Sequence, residues 1–260
     1  VKIREQDTLA CVWVDIVSNV EMGDIEYVPN QYVKSKEWQV PIVYEDDAIL
    51  VVNKPYGLIV HGAESVTQVT LVDILIASGV GLAMEGHRQG VVHRLDQFTE
   101  GVMVLAKTDS ACSALQDQFK ERLVSKRYYA VLQGVLVSDQ GEICRPIGRD
   151  ISVRARRSCH HMVSGTEKEA ITKYKVLQQY TNITVVDVEL ITGRTHQIRV
   201  HFAALNTPVL GDSLYSNQSK KSEGYYLQSY FLRFMHPVTQ KDVLFTVPVS
   251  WRLKKYAKGE

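Results

Sequence analysis

Val91-Val92-His93-Arg94-Leu95-Asp96-Gln97-Phe98-Thr99-Glu100-Gly101-Val102-Met103-Val104-Leu105-Ala106-Lys107 sets a charged loop between two apolar runs. Val91-Val92 and residues 102–106 are short and β-branched, which predicts buried strand rather than helix. Gly101 supplies a permissive backbone between loop and strand. His93, Arg94 and Asp96 crowd into four positions. Ionisable groups on a loop at the mouth of buried strands are where binding and catalytic groups concentrate. Asp96 is therefore the candidate reactive residue.

Working outward, residues 42–44 and 48–52 flank a Glu45-Asp46-Asp47 turn and predict a hairpin ending in a core strand. Residues 53–61 follow as a loop punctuated by Pro55 and Gly57. Residues 70–79 predict a helix: Thr70 caps it, Asp73 completes a capping-box pair and Gly79 ends it. After the loop, Thr108 or Asp109 caps a helix with Ala111, Leu115 and Phe119 on one face. Residues 126–137 predict a strand in which Tyr128, Ala130 and Leu132 share a face. Residues 170–177 and 183–191 predict two more strands, joined by a polar turn. At Thr192-Gly193-Arg194-Thr195-His196-Gln197-Ile198-Arg199-Val200-His201-Phe202 a turn opens a helix. Thr195 is its expected cap, and Arg194, His196 and Arg199 fall in or beside its first turn.

Strands scattered among few helices, several at hairpin spacing, predict an α+β fold with a mixed or antiparallel sheet. Residues 1–40 read as an N-terminal extension, strand-like at 9–17, that is left unassigned. Residues 41–260 read as one domain. There is no internal repeat.

Composition narrows the class. At 260 residues, 45% hydrophobic and 23% charged, the chain is an ordinary globular protein. No apolar run reaches the roughly 20 residues that cross a bilayer. Cys11, Cys112, Cys144 and Cys159 show no C-x-x-C spacing, so reduced thiols in an intracellular, cytoplasmic protein are expected. The chain begins at Val1 and its targeting, organellar included, is left open. A zinc site from Cys144, Cys159, His160 and His161 lacks ligand spacing, and no metal is expected. The net charge of +1 predicts no general attraction to polyanions. Locally, however, Arg145, Arg149, Arg154, Arg156 and Arg157 are opposed only by Asp150. That segment is either a phosphate-binding element or a solvated loop.

A carboxylate held ionised by an arginine makes a better-defined nucleophile or base. Arg199 and Arg194, distant in sequence, are the candidate partners for Asp96. Asp96 and Glu100 also form a candidate glycosidase-type carboxylate pair, with a separation that a loop leaves undefined. His93, His196 and His201 are expected to be hydrogen-bonded core histidines rather than ligands. No phosphate-loop or dinucleotide glycine pattern occurs, and no cofactor is implied.

His93-Arg94-Leu95-Asp96-x-x-Thr99-x-Gly101, followed by residues 193–201 and Gly211-Asp212-x-x-Tyr215, resembles the RluA family of pseudouridine synthases. The resemblance runs colinearly from about Pro41 to Phe234-x-His236-Pro237, through Asn53-Lys54-Pro55 and Lys126-x-Tyr128-x-Ala130. It implies a mixed, mostly antiparallel sheet with flanking helices and a central active-site cleft over 41–260, the catalytic domain. It also implies cofactor-independent isomerisation of uridine to pseudouridine in rRNA or tRNA, by a protein expected to be a monomer. Asp96 would be the nucleophile, Tyr128 the platform for the base and Arg199 the partner of Asp96. Arg94 would hold a nucleotide flipped from its stack. Lys54, Arg194, Arg154, Arg156 and Arg157 would contact phosphates. The chain departs from the family at Gln97 and Glu100, where relatives commonly carry arginine and serine. Glu100 beside an RNA site is what a noncatalytic RNA-binding protein or RNA chaperone of the same fold would favour, and that alternative stays open.

Overall fold

The computed structural model describes residues 31–62, 68–84, 88–153, 155–159, 163–216 and 224–257. The strand expected at 9–17, Cys11, Arg154, His160 and His161 lie outside them.

Hairpins build most of the frame. β1 (Tyr32–Lys34), β2 (Gln39–Glu45) and β3 (Ile49–Lys54) run antiparallel in sequence order. At the tight turn before β3, Asp46 Oδ1 accepts the Ala48 and Ile49 N–H groups, both at 2.8 Å. β4 (Glu100–Ala106) pairs along the full length of β3. β5 (Ser125–Gln133), β6 (Gln140–Cys144), β10 (Ile171–Gln179), β11 (Ile183–Leu190), β12 (Leu227–Met235) and β13 (Asp242–Thr246) complete the main sheet. Among the described residues it has ten strands, in the order β1-β2-β3-β4-β12-β5-β11-β10-β6, with β13 also on β12. The fold is thus α+β with a mixed, mostly antiparallel sheet.

β4 and β12 make the parallel pair, and only through Glu100 with Gln228 and Gly101 with Ser229. Here the backbones nearly touch. A Cβ on Gly101 would lie 1.9 Å from the Ser229 carbonyl oxygen, and φ of +119° suits glycine. Past Gly101 the outer edge of β4 turns from β12 to residues 83–93. The Ala106 N–H donates to Gly90 O (2.8 Å), the Ala83 N–H to Ala106 O (3.0 Å), and the Val104 N–H to His93 Nε2 (3.0 Å). Val91 therefore makes one isolated bridge to Leu105 instead of the expected strand. A side chain and a loop carbonyl have taken the donors that a strand at 91–92 would need. The loop carrying Asp96 emerges where β4 and β12 part.

Side-chain alternation sorts the core onto two faces. Leu50, Val52, Met103, Leu105, Tyr128, Ala130 and Leu132 lie on one, with α1 (Leu71–Ala77) and α3 (Gln197–Ala204). Ile49, Val51, Val102, Val104, Tyr129 and Val131 lie on the other, with α2 (Asp109–Lys120) and α4 (Trp251–Ala257). Thr70 caps α1 in a full capping box with Asp73, and Thr108 caps α2.

α3 starts differently from expectation. Its N-cap is His196 in a left-handed conformation (φ 59°), and neither His196 nor Thr195 caps it by a side chain. Gln197 ties the turn instead. Its Oε1 accepts the Arg194 N–H and the Thr192 hydroxyl, both at 2.9 Å, while its amide donates to Ile171 O and Thr172 Oγ1. The arginine-rich segment also differs from a plain loop. β7 (Ile147–Asp150), β8 (Arg157–Ser158) and β9 (Val163–Lys168) form a separate three-stranded sheet.

Candidate active site

A cleft of about 550 Å³ opens on the α3 side of the sheet, bordered by Asp96, Tyr128 and Arg199 together with Arg94, Arg194 and His196. Three elements meet there: the loop before β4, strand β5 and the start of α3. Asp96 is partly accessible and Arg199 is buried.

Arg199 serves two carboxylates. Its Nε and Nη2 donate to Asp212 Oδ2 and Oδ1 (2.7 and 3.0 Å), a bidentate clamp, while Nη1 reaches Asp96 Oδ2 at 3.2 Å. Desolvation works against the guanidinium charge. Hydrogen bonding to Asp212 and the fields of Tyr225, Asp212 and Asp96 outweigh it and hold the pKa above the ordinary arginine value. The guanidinium also lies 4.3 Å from the Tyr225 ring centre and 5.1 Å from that of Tyr215. Its plane is thus fixed from several sides, and the third nitrogen orients Asp96.

Two further groups approach the same carboxylate oxygen. The Tyr225 hydroxyl is 3.4 Å from Asp96 Oδ2 and 3.2 Å from Thr99 Oγ1. His196 Nε2 is 3.7 Å from Asp96 Oδ2, and its Nδ1 is 2.9 Å from the Tyr215 hydroxyl. That hydroxyl already accepts the Arg157 N–H (2.8 Å), so its proton is free for His196 Nδ1. The imidazole N–H then lies on Nε2, facing Asp96. Desolvation, opposed by Asp96, lowers the His196 pKa and favours the neutral ring.

Tyr128 lies on the cleft floor, mostly buried. Desolvation, with Asp96 adding to it and a hydrogen bond to Ser229 opposing it, raises the phenol pKa. The hydroxyl therefore stays protonated. The site offers an oriented carboxylate, a flat aromatic floor and a clamped cation.

The other expected contacts divide. Arg94 is exposed at the rim, and Arg194 borders the cleft with Nε donating to Glu169 O at 2.8 Å. Arg156 and Arg157 lie outside the lining, Arg157 joined to the site through its N–H on the Tyr215 hydroxyl and through its field on His196. Lys54 is fully buried, which corrects the phosphate contact expected of it. Its ammonium donates to Pro55 O, Leu58 O and Gln97 O at 2.9, 2.7 and 3.0 Å. Desolvation pulls it to about 7, against the fields of Glu100 and Asp96. Lys54 braces the Asp96 loop from beneath.

Glu100 does not border the cleft. It accepts from the Ser250 hydroxyl (2.8 Å) and pairs with Arg252 (3.5 Å), at and beside the start of α4. The expected alternative of a carboxylate pair across a sugar site has no support in that placement. His201 is a bonded core histidine, 2.9 Å from both Thr172 Oγ1 and Arg145 O. No metal-holding group of three His, Cys, Asp or Glu residues occurs among the described residues.

Sequence reasoning did not single out Asp212, Tyr215, Tyr225 or His196 as parts of the site. The first two carried a signal, since they form the Gly211-Asp212-x-x-Tyr215 motif. Tyr225 carried none.

The family model for RNA pseudouridylate synthase matches residues 48–204. A protein of Aquifex aeolicus named as an uncharacterized RNA pseudouridine synthase is 40% identical over 83% of this chain and 71% of its own length. The ribosomal large subunit pseudouridine synthase D of Xylella fastidiosa is 37% identical over 90% of this chain and 74% of its own. The solved structure of human RNA pseudouridylate synthase domain containing 1 superposes with a TM-score of 0.67 at 27% identity, covering 88% of this chain and 86% of that one. Sequence match, fold and the motifs around Asp96, Arg199 and Asp212 agree: the chain belongs to the RNA pseudouridylate synthase family, of the RluA type.

Proposed function

We propose that this chain isomerises uridine to pseudouridine in RNA with Asp96 as the nucleophile, Arg199 as its cationic partner and Tyr128 as the platform for the base. The observation that carries this reading is the Asp96–Arg199–Asp212 arrangement opening on the Tyr128 floor. Isomerisation breaks the bond from ribose C1′ to uracil N1, forms one from C1′ to C5, and moves the C5 proton to N1. It consumes nothing and needs no redox group. In one route Asp96 attacks C1′ as uracil departs; in another it adds to the ring, and a glycal route also returns the same product. All three call on a carboxylate held in place, which the Arg199 contact at 3.2 Å supports.

Tyr128, protonated and buried, suits stacking better than base catalysis. Arg94 at the rim is placed to hold the nucleotide once it leaves its stack. Several similar proteins are named for the large ribosomal subunit, so we assign large-subunit rRNA as the substrate class. Glu100, the residue that favoured a noncatalytic protein, turns to α4 instead, and no observation now supports that alternative.

Tritium release from RNA labelled at uridine C5 tests the proposal. Release from rRNA by the native chain, and none by Asp96→Asn, is expected. Equal release by both, or none from total cellular RNA, overturns the assignment. Release from tRNA alone overturns the substrate class.

A further inference from the structure

Strand β5 carries two side chains into the cleft on one face, Tyr128 and, two residues earlier, Lys126. Lys126 is unusual. It is 7% exposed, no hydrogen bond or ion pair holds its ammonium among the described residues, and the ammonium is not among the sealed polar atoms: it opens to the cleft. It lies 5.5 Å from the Phe119 ring centre and beneath the turn at Gly193, where an added Cβ would sit 3.9 Å from Nζ. A largely desolvated cation that opens to a cleft with no acceptor of its own gains most from an anion brought there by a ligand. His93 adds a second donor on the same wall, its ring stacked on Phe119 at 4.6 Å. Its Nε2 accepts the Val104 N–H, which leaves the ring hydrogen on Nδ1. Desolvation and then Lys126 push the imidazole down to about 3, so it is a neutral donor.

We propose that Lys126, assisted by the Nδ1–H of His93, forms an anion subsite on the cleft floor that takes an RNA phosphodiester beside the target nucleotide. The subsite rests on the reading of this cleft as an RNA site. Two residues along a strand advance roughly 6.6 Å, so a base on Tyr128 keeps a flanking phosphate within reach of Lys126. The rim arginines contact the backbone from solvent. Lys126 is instead desolvated, and its contact is correspondingly stronger and specific to one linkage.

The test uses a fluorescein-labelled RNA stem–loop with a single loop uridine, and two versions in which the linkage 5′ or 3′ of that uridine is a neutral methylphosphonate. Binding to the native chain, Lys126→Met and Lys126→Arg is read by anisotropy. We expect the native chain to lose roughly tenfold in affinity for one neutralised RNA and little for the other. Lys126→Met should bind the parent RNA about as weakly and no longer distinguish the three, with a salt slope lower by about 0.7–0.9. Lys126→Arg should still discriminate. Indifference of the native chain to both neutralised linkages overturns the subsite, as does discrimination that survives in Lys126→Met. The native-chain arm decides even if the methionine variant does not fold. Tritium release on the parent RNA is read separately: its absence removes the isomerase reading, whereas lost linkage discrimination removes only the subsite.

Discussion

Asp96 is oriented by an arginine that is itself committed to another carboxylate, so the nucleophile proposed here depends on a residue it does not touch. Asp212→Asn removes half of a buried pair, and such losses cost about 3–5 kcal/mol. We expect its turnover to fall at least about a hundredfold, with the melting temperature lowered, measured by tritium release and thermal unfolding. Arg199→Lys should not rescue, because an ammonium cannot replace the planar fork. The charge on Lys126 leads to a different prediction. Burial holds its native pKa at about 8, against an ordinary 10.5. Between those values the unfolded chain binds the proton that the native chain releases, so stability rises with pH across that window. At one pKa unit per about 1.4 kcal/mol, the rise is on the order of 3 kcal/mol. Lys54 adds to it from about pH 7 upward. Denaturant midpoints from pH 7 to 10.5 should therefore climb, and climb less in Lys126→Met. At this scale the sequence was partly legible. Asp96, Arg199 and Tyr128 stand in motifs that the cleft brings together. Lys54 was misread because a charge says nothing of its own burial, and Tyr225 was missed because its partner lies 129 positions away.

The elements were read best where a local rule governs them. The capping box of α1, the Thr108 cap of α2 and the turn before β3 are each written within a few residues. Where a non-local partner decides, local pattern failed. Val91-Val92 has strand composition, yet His93 holds the backbone donor of Val104. Strands β12 and β13 were not read at all, since Gln228, Ser229 and Arg233 interrupt the apolar pattern of a strand that the sheet nevertheless buries. The junction of β4 with β12 is the most sensitive joint. Any side chain at Gly101 must enter the Ser229 backbone. Gly101→Ala should destabilise by more than about 4 kcal/mol, seen as loss of the native melting transition; a variant melting within a few degrees of the native chain would disprove the close approach.

For the whole molecule, fold class was readable from hairpin spacing, whereas strand order was not, because the central joins cross long stretches of sequence. Near-neutral net charge conceals a cationic cleft edge formed by Arg88, Arg94, Arg122 and Arg194. No helix among the described residues is long and apolar enough to cross a membrane.

The parallel joint has a consequence for how the protein comes into being. β12 is inserted between β4 and β5, both made more than ninety residues earlier in synthesis. A nascent chain that has emerged only as far as residue 216 already contains Asp96, Arg199 and Asp212, but neither Tyr225 nor the strand that joins the two halves of the sheet. Chains truncated at 216 should therefore release no tritium and expose unpaired strand edges, detectable as aggregation at low concentration. Catalytic competence thus arrives late in translation, when the growing polypeptide closes its own central gap.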